Sequence, residues 1–234
     1  MTGNARQVHH FRAPAGDLHH LPFPEPLRGE VWVLEPSRPA LVTGSTQALS
    51  EAATTAATAA GLDVTSRRSG GGAVLLYPGV GLWIDVFVAP DDRLFSSDIG
   101  VAAHQVGRCW ANALGELGCG GELWTGPMAA GRWGASACFA GLGPGEVQID
   151  GRKVDGISQR RTRQGARVQC HALVRAQNAK GPGLQADLVD YLDLEGDEAA
   201  SLRDHLSSAV GTIDVDPAEL QSSFLRHLGP VHDA

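Results

Sequence analysis

No C-x-x-C pair occurs among the four cysteines (Cys109, Cys119, Cys138 and Cys170), which argues against a structural zinc site. No apolar run approaches the length of a membrane span, and residues 1–30 contain no apolar stretch of a signal peptide. The expectation is a cytoplasmic protein with its thiols reduced. An excess of basic charge is lacking too. Nineteen Lys and Arg stand against 26 Asp and Glu, a net charge of −7, so neither nucleic acid nor membrane is expected as a partner. There is no internal repeat and no linker that would divide the chain.

What is there suits an ordinary globular chain: 234 residues, 43% hydrophobic and 19% charged, are enough for a sizeable core. Residues 1–30 hold His9, His10, His19, His20 and several prolines but no periodicity, and read as a mobile extension or a strap over the core. No Cys or acidic partner sits at ligand spacing from those histidines, so no metal site is expected there. Residues 31–234 read as one domain.

Strands are expected at residues 31–34, 39–43, 62–66, 82–88 and 168–174. Asp85, alone inside the fourth, is free to line a cleft or face solvent. A hairpin should join 146–150 to 154–159 about a turn at 151–153. Ser45 precedes an Ala/Thr-rich helix over 47–60, which Gly61 ends. The strongest amphipathic helix spans 97–118, with Asp98 at its start. Helices are also expected at 184–192, 197–210 and 216–228, the last with Asp216 as cap and Pro217 in its first turn. Strands first and helices last suit an α+β fold, a mixed, largely antiparallel sheet flanked by helices.

Arg67-Arg68-Ser69-Gly70-Gly71-Gly72-Ala73-Val74 stands out from this background. Three glycines between a basic pair and an apolar run cost chain entropy unless the backbone must bend sharply or approach a ligand closely. Guanidinium groups beside exposed N–H groups make a cradle for a carboxylate or phosphate; a tight turn with surface arginines is the plainer account. About eighty residues on comes Gly151-Arg152-Lys153-Val154-Asp155-Gly156-Ile157-Ser158-Gln159-Arg160.

These two segments resemble the signature loop and second motif of lipoate-protein ligases, and residues 39–47 resemble that family's early strand and polar turn. The resemblance implies the biotin/lipoate protein ligase catalytic fold, akin to class II aminoacyl-tRNA synthetases. It implies attachment of lipoate or octanoate to a lysine of a lipoyl-carrier domain through an acyl-adenylate, made with ATP and Mg2+. The implied acceptors are lipoyl domains of 2-oxoacid dehydrogenase complexes or the glycine cleavage H protein. Lys153 would be catalytic, its ammonium on the carboxylate or adenylate phosphate. Arg67, Arg68, Ser69, Gly70, Gly71, Gly72, Ala73, Gly156 and Ser158 would border the acyl-adenylate. No protein-bound metal site is implied.

The sequence departs from the family's pattern in places. Leu75 to Gly79 replaces a His-Asp pair, Asp155 stands where a small residue is usual, and Gln169-Cys170-His171-Ala172 replaces His-His-Gly. A separate C-terminal accessory domain, present in longer ligases, is not expected. Two alternatives therefore stay open. Ala135 to Phe139 resembles the cysteine segment of an octanoyltransferase branch, in which Cys138 would carry the acyl group as a thioester, taken from acyl carrier protein. A non-catalytic lipoyl- or adenylate-binding or accessory subunit is the other. Biotin attachment fits less well, because the biotin ligase loop is Gly-Arg-Gly-rich. His171 is a general base or a structural residue, Cys170 a core residue. The arginines from Arg160 to Arg167 form a solvated face, receive an acidic carrier or contact nucleotide phosphates.

Overall fold

The computed structural model describes residues 5–175 and 184–233. Its main sheet is built around β6 (Leu82–Val88), whose seven residues are all buried. Leu82, Ile84, Val86 and Val88 face one hydrophobic cluster, while Trp83 and Phe87 face the other. A strand covered on both faces loses its polar alternation, which is why it reads as a continuous apolar run. β6 pairs antiparallel with β2 (Val31–Pro36) on one side and β10 (Gly165–Ala172) on the other. Beyond β10 come β9 (Arg152–Thr162), β8 (Val147–Ile149) and β7 (Glu122–Leu123), all antiparallel. Beyond β2 lie β1 (Arg6–Ala13) and β11 (Val231–Asp233), paired in parallel. The sheet is therefore mixed and largely antiparallel. A second, three-stranded sheet sets β3 (Ala40–Thr43) between β4 (Asp63–Ser66) and β5 (Val74–Leu76).

One face of the main sheet is covered by α3 (Ile99–Glu116) and α5 (Pro217–Leu228), joined by stacking of Trp110 on Phe224 at 3.9 Å between ring centroids. Asp98 caps α3 by accepting from the Val101 amide at 2.9 Å, and Asp216 caps α5 with Pro217 in the first turn, as expected. The other face carries α1 (Ala15–His20), the small sheet with α2 (Glu51–Ala59), and α4 (Gly196–Ala209). Residues 186–191 form a 3-10 turn where an α-helix is expected. None of the helices among the described residues is long and apolar enough to cross a membrane.

Three local differences from expectation bear on function. Residues 6–20, expected in an extension, supply a strand of the main sheet and a helix with Ala15, Leu18 and His19 buried. α2 begins at Glu51, capped by Ser50 rather than Ser45. Residues 44–47 are held away from helical geometry because the Ser45 amide donates to Ser69 O and the Gln47 side chain to Ser136 O, both at 3.0 Å. The hairpin turn is Asp150-Gly151, both at positive φ (51° and 71°), so Arg152 and Lys153 belong to β9. That register buries the lysine.

Candidate active site

The end of β4 and the start of β5 deliver the glycine loop, and contacts with two neighbouring segments fix its path. A Cβ on Gly44 would lie 1.9 Å from Gly71 O, and one on Gly72 would lie 2.4 Å from the Ala137 amide nitrogen, so both sites are closed to any side chain. Ala73 is tied to the cysteine segment, donating to Ser136 O and accepting from the Cys138 amide at 3.0 and 2.8 Å. Arg67 folds back on its own loop. Its Nη2 donates to Gly70 O and Gly72 O, each at 2.8 Å, while its buried Nη1 has no partner among the described residues. A buried, unpaired guanidinium nitrogen is costly, and it marks where an anion fits. The amides of Gly70, Gly71 and Gly72 donate to no group among the described residues either.

Lys153 enters from β9 and is 3% exposed. Its Nζ pairs with Glu146 Oε2 at 2.6 Å, donates to Cys138 O and Gly141 O at 2.9 and 3.0 Å, and lies 5.0 Å from the Phe139 ring centre. Glu146 is held in turn by the amides of Gly143 (2.6 Å) and Ile157 (3.1 Å). Asp155, two residues along β9, is fully buried with both carboxyl oxygens unpartnered among the described residues. Burial pushes its proton affinity well up, and the Glu146 charge adds to this against the opposing Lys153.

Two cavities meet here. A cleft of about 480 Å3 is bordered by Gly70, Gly71, Gly72, Glu146 and Lys153. A slot of about 50 Å3 runs inward between Trp83, Phe139 and His171. Arg67, Cys138, Ile157 and Ser158 line both cavities and so mark the junction. The slot is mostly apolar, the cleft larger and edged with N–H groups and cations. A chain with a hydrocarbon body and an anionic head fits that division.

His171 lines the slot, and burial pushes its pKa down from 6.5 to about 4. It is neutral in the fold at pH 7. A base with a depressed folded-state pKa is protonated first in the unfolded chain, so acid favours unfolding. Stability is therefore full above pH 6.5 and falls as pH drops towards about 4, by of order 3 kcal/mol from this residue. Denaturant melts of wild type and His171→Gln between pH 7 and 4 check this: the variant's curve should be the flatter.

Of the residues expected at the site, Arg67, Ser158, Lys153, Cys138, Gly70, Gly71 and Gly72 border the cleft, and Gly156 borders the slot. Ser69 and Ala73 lie behind them. Ser69 donates to Ser158 Oγ at 3.1 Å, and Ala73 is 1% exposed. Arg68 is exposed and borders neither cavity. Asp85 lines no cleft and meets no solvent, being fully buried against Arg167. Sequence reasoning missed Glu146, His19 and Trp83. Glu146 left no local signal, since its partner is set by hairpin register. His19 sat in a segment set aside as an extension. One signal for Lys153 was available: Lys153 and Lys180 are the chain's only two lysines among 19 basic residues.

The sequence model of the lipoyl protein ligase A/B catalytic domain matches residues 24–226. Comparison with curated proteins finds no match. Among solved structures, lipoate-protein ligase A bound with ATP is similar at 14% identity and a TM-score of 0.67, over 98% of this chain and 88% of that one. Protein Ta0514 of T. acidophilum with bound lipoic acid is similar at 15% identity and 0.69, over 98% and 88%. The bi-partite lipoate protein ligase of Thermoplasma acidophilum, solved in a study with its E2 lipoyl domain, follows at 16% and 0.68, over 98% and 87%. At such identities these likenesses carry the fold.

Proposed function

The chain belongs to the lipoyl protein ligase A/B catalytic-domain family, and from that premise we propose that it attaches lipoate to a lysine of a lipoyl-carrier domain through a lipoyl-adenylate. The observation that carries this is the meeting of an apolar slot and a cation-edged cleft at Arg67, Cys138 and Ser158. The lipoyl chain occupies the slot, its carboxylate reaches the junction, and ATP lies in the cleft along Gly70 to Gly72. The carboxylate oxygen attacks the α-phosphorus and pyrophosphate leaves. The carrier amine then attacks the acyl carbon and AMP leaves, with its C–O bond broken and the amide formed.

The residues present suit that chemistry. The unpaired Arg67 Nη1 and the free loop amides can take up charge as the phosphoryl oxygens move, and in a dry site such donors matter most. The Lys153 ammonium lies on the cleft wall, held against Glu146 until an anion shares it. Among the described residues no group of three metal-ligating side chains occurs. Mg2+ would arrive on the triphosphate, where it offsets phosphate charge.

Cys138 lines both cavities, and this keeps the thioester reading as a second one. One assay series decides: a lipoyl domain as acceptor, with lipoate plus ATP and Mg2+, or octanoyl-acyl carrier protein, as donor. The expected result is ATP-dependent lipoylation with AMP release, retained in Cys138→Ala. Transfer from octanoyl-carrier alone, with an acyl thioester trapped on Cys138, would overturn it. Ligand binding with no transfer from any donor would leave only the non-catalytic binder.

A further inference from the structure

The inner slot is an unusual bed for a plain hydrocarbon tail. Beyond the junction its walls include Leu76, Trp83 and Phe139, but also the imidazoles of His19 and His171. His19 is 7% exposed and its ring centre lies 4.4 Å from that of Trp83. Its Nε2 is buried with no hydrogen-bond partner among the described residues, and so is His171 Nδ1.

The neighbours of His19 fix which nitrogen carries the proton. Gln169 Oε1 faces the Ser69 hydroxyl at 3.4 Å, and its Nε2 faces His19 Nδ1 at 3.3 Å. The Gln169 amide NH2 can only donate, which makes His19 Nδ1 the acceptor. Burial, with the Arg67 and Arg167 charges adding to it, keeps the ring neutral. The remaining proton sits on Nε2, a buried N–H donor on a slot-lining residue with nothing to donate to among the described residues. Buried donors left this way are costly, and a ligand that supplies an acceptor removes the cost.

We propose that His19 is the specificity-determining residue of the slot: its Nε2–H donates to an acceptor in the distal part of the acyl chain. The slot then selects a chain ending in polarisable, lone-pair-bearing atoms, such as the dithiolane sulfurs of lipoate, over a saturated chain of equal length. The inference rests on the lipoate-attachment reading above and adds to it the group that tells lipoate from octanoate.

The test is calorimetric binding of lipoate and octanoate to the full chain as wild type, His19→Phe and His19→Gln. Wild type should favour lipoate by about tenfold, a hydrogen bond's worth. His19→Phe should bring the two acids to within about twofold by weakening lipoate alone, and His19→Gln, which can still accept from Gln169 and donate inward, should restore the preference. An unchanged ratio in His19→Phe, or no preference in wild type, overturns the inference. So does binding of neither acid. Should His19→Phe fail to fold, the same ratio is read in His19→Leu. Transfer to a lipoyl domain is assayed in parallel. Lipoylation without discrimination leaves the ligase reading standing and removes this one, while selective binding without transfer does the opposite.

Discussion

Lys153→Met should abolish lipoyl transfer and lower thermal stability together, and the two losses should come apart in a second variant. The activity loss expected is about 10²- to 10³-fold in kcat/KM, the usual consequence of removing one charge-stabilising donor from a dry site. The stability loss has another origin. Lys153 and Glu146 are 3% and 5% exposed and pair at 2.6 Å, so truncating the cation strands a buried carboxylate. Breaking such a pair from one side costs about 3–5 kcal/mol, and at roughly 2–4 °C per kcal/mol for a chain of this size the melting temperature should fall by about 10 °C.

Lys153→Met/Glu146→Gln removes both charges and leaves an amide whose one oxygen can still accept from either Gly143 or Ile157, which bond opposite oxygens of the Glu146 carboxylate. Most of the melting temperature should return, because replacing both partners of a buried pair is close to neutral. Activity should not return. Thermal melts beside initial rates of lipoylation read the two effects separately. Recovery of activity in the double variant would remove Lys153 from the chemistry and leave it as a stabilising residue.

The glycine loop and the Lys153 motif were legible because each is a local pattern with few physical uses. Three glycines after a basic pair say little alone. A second motif in the matching order narrows the reading to one fold, and that fold is the one observed. The strands and the long helix were legible from period and caps, with Asp98 and Asp216 at the positions where capping puts them. What stayed hidden depends on contacts between distant segments. The start of α2 shifted by a turn because residues 44–47 hydrogen-bond to residues 69 and 136, which no local propensity records. Glu146 could not be matched to Lys153 before the hairpin register was known. The role of residues 6–20 was hidden because β1 pairs in parallel with β2 and α1 is anchored from β10 by Arg167, about 150 residues away.

That anchor gives the second large effect. Arg167→Met should destabilise the fold by about 3–5 kcal/mol and free α1 from the sheet. Arg167 is 1% exposed. It binds Asp85 through Nε and Nη2 at 2.6 and 2.5 Å, and donates to the carbonyls of Leu18, His19 and Leu21 at 2.8, 3.3 and 3.2 Å. One guanidinium thus neutralises a buried carboxylate and closes the open end of a six-residue helix, which has no side-chain cap at its start. Asp85 retains Trp83 Nε1 at 2.9 Å when the arginine is lost, but no cation. Arg167→Met/Asp85→Leu should recover global stability, since no buried charge is then left unpaired. It should not recover the order of α1, whose terminal carbonyls still lack a donor. Hydrogen exchange over residues 15–21 should therefore stay fast in the double variant while the melting temperature rises. Lipoate should bind more weakly in both variants, because the Arg167 bonds to the Leu18 and His19 carbonyls hold His19 in place. Slow exchange in α1 of the double variant would show that apolar packing of Ala15 and Leu18 holds the helix unaided, and that Arg167 does no more than balance Asp85.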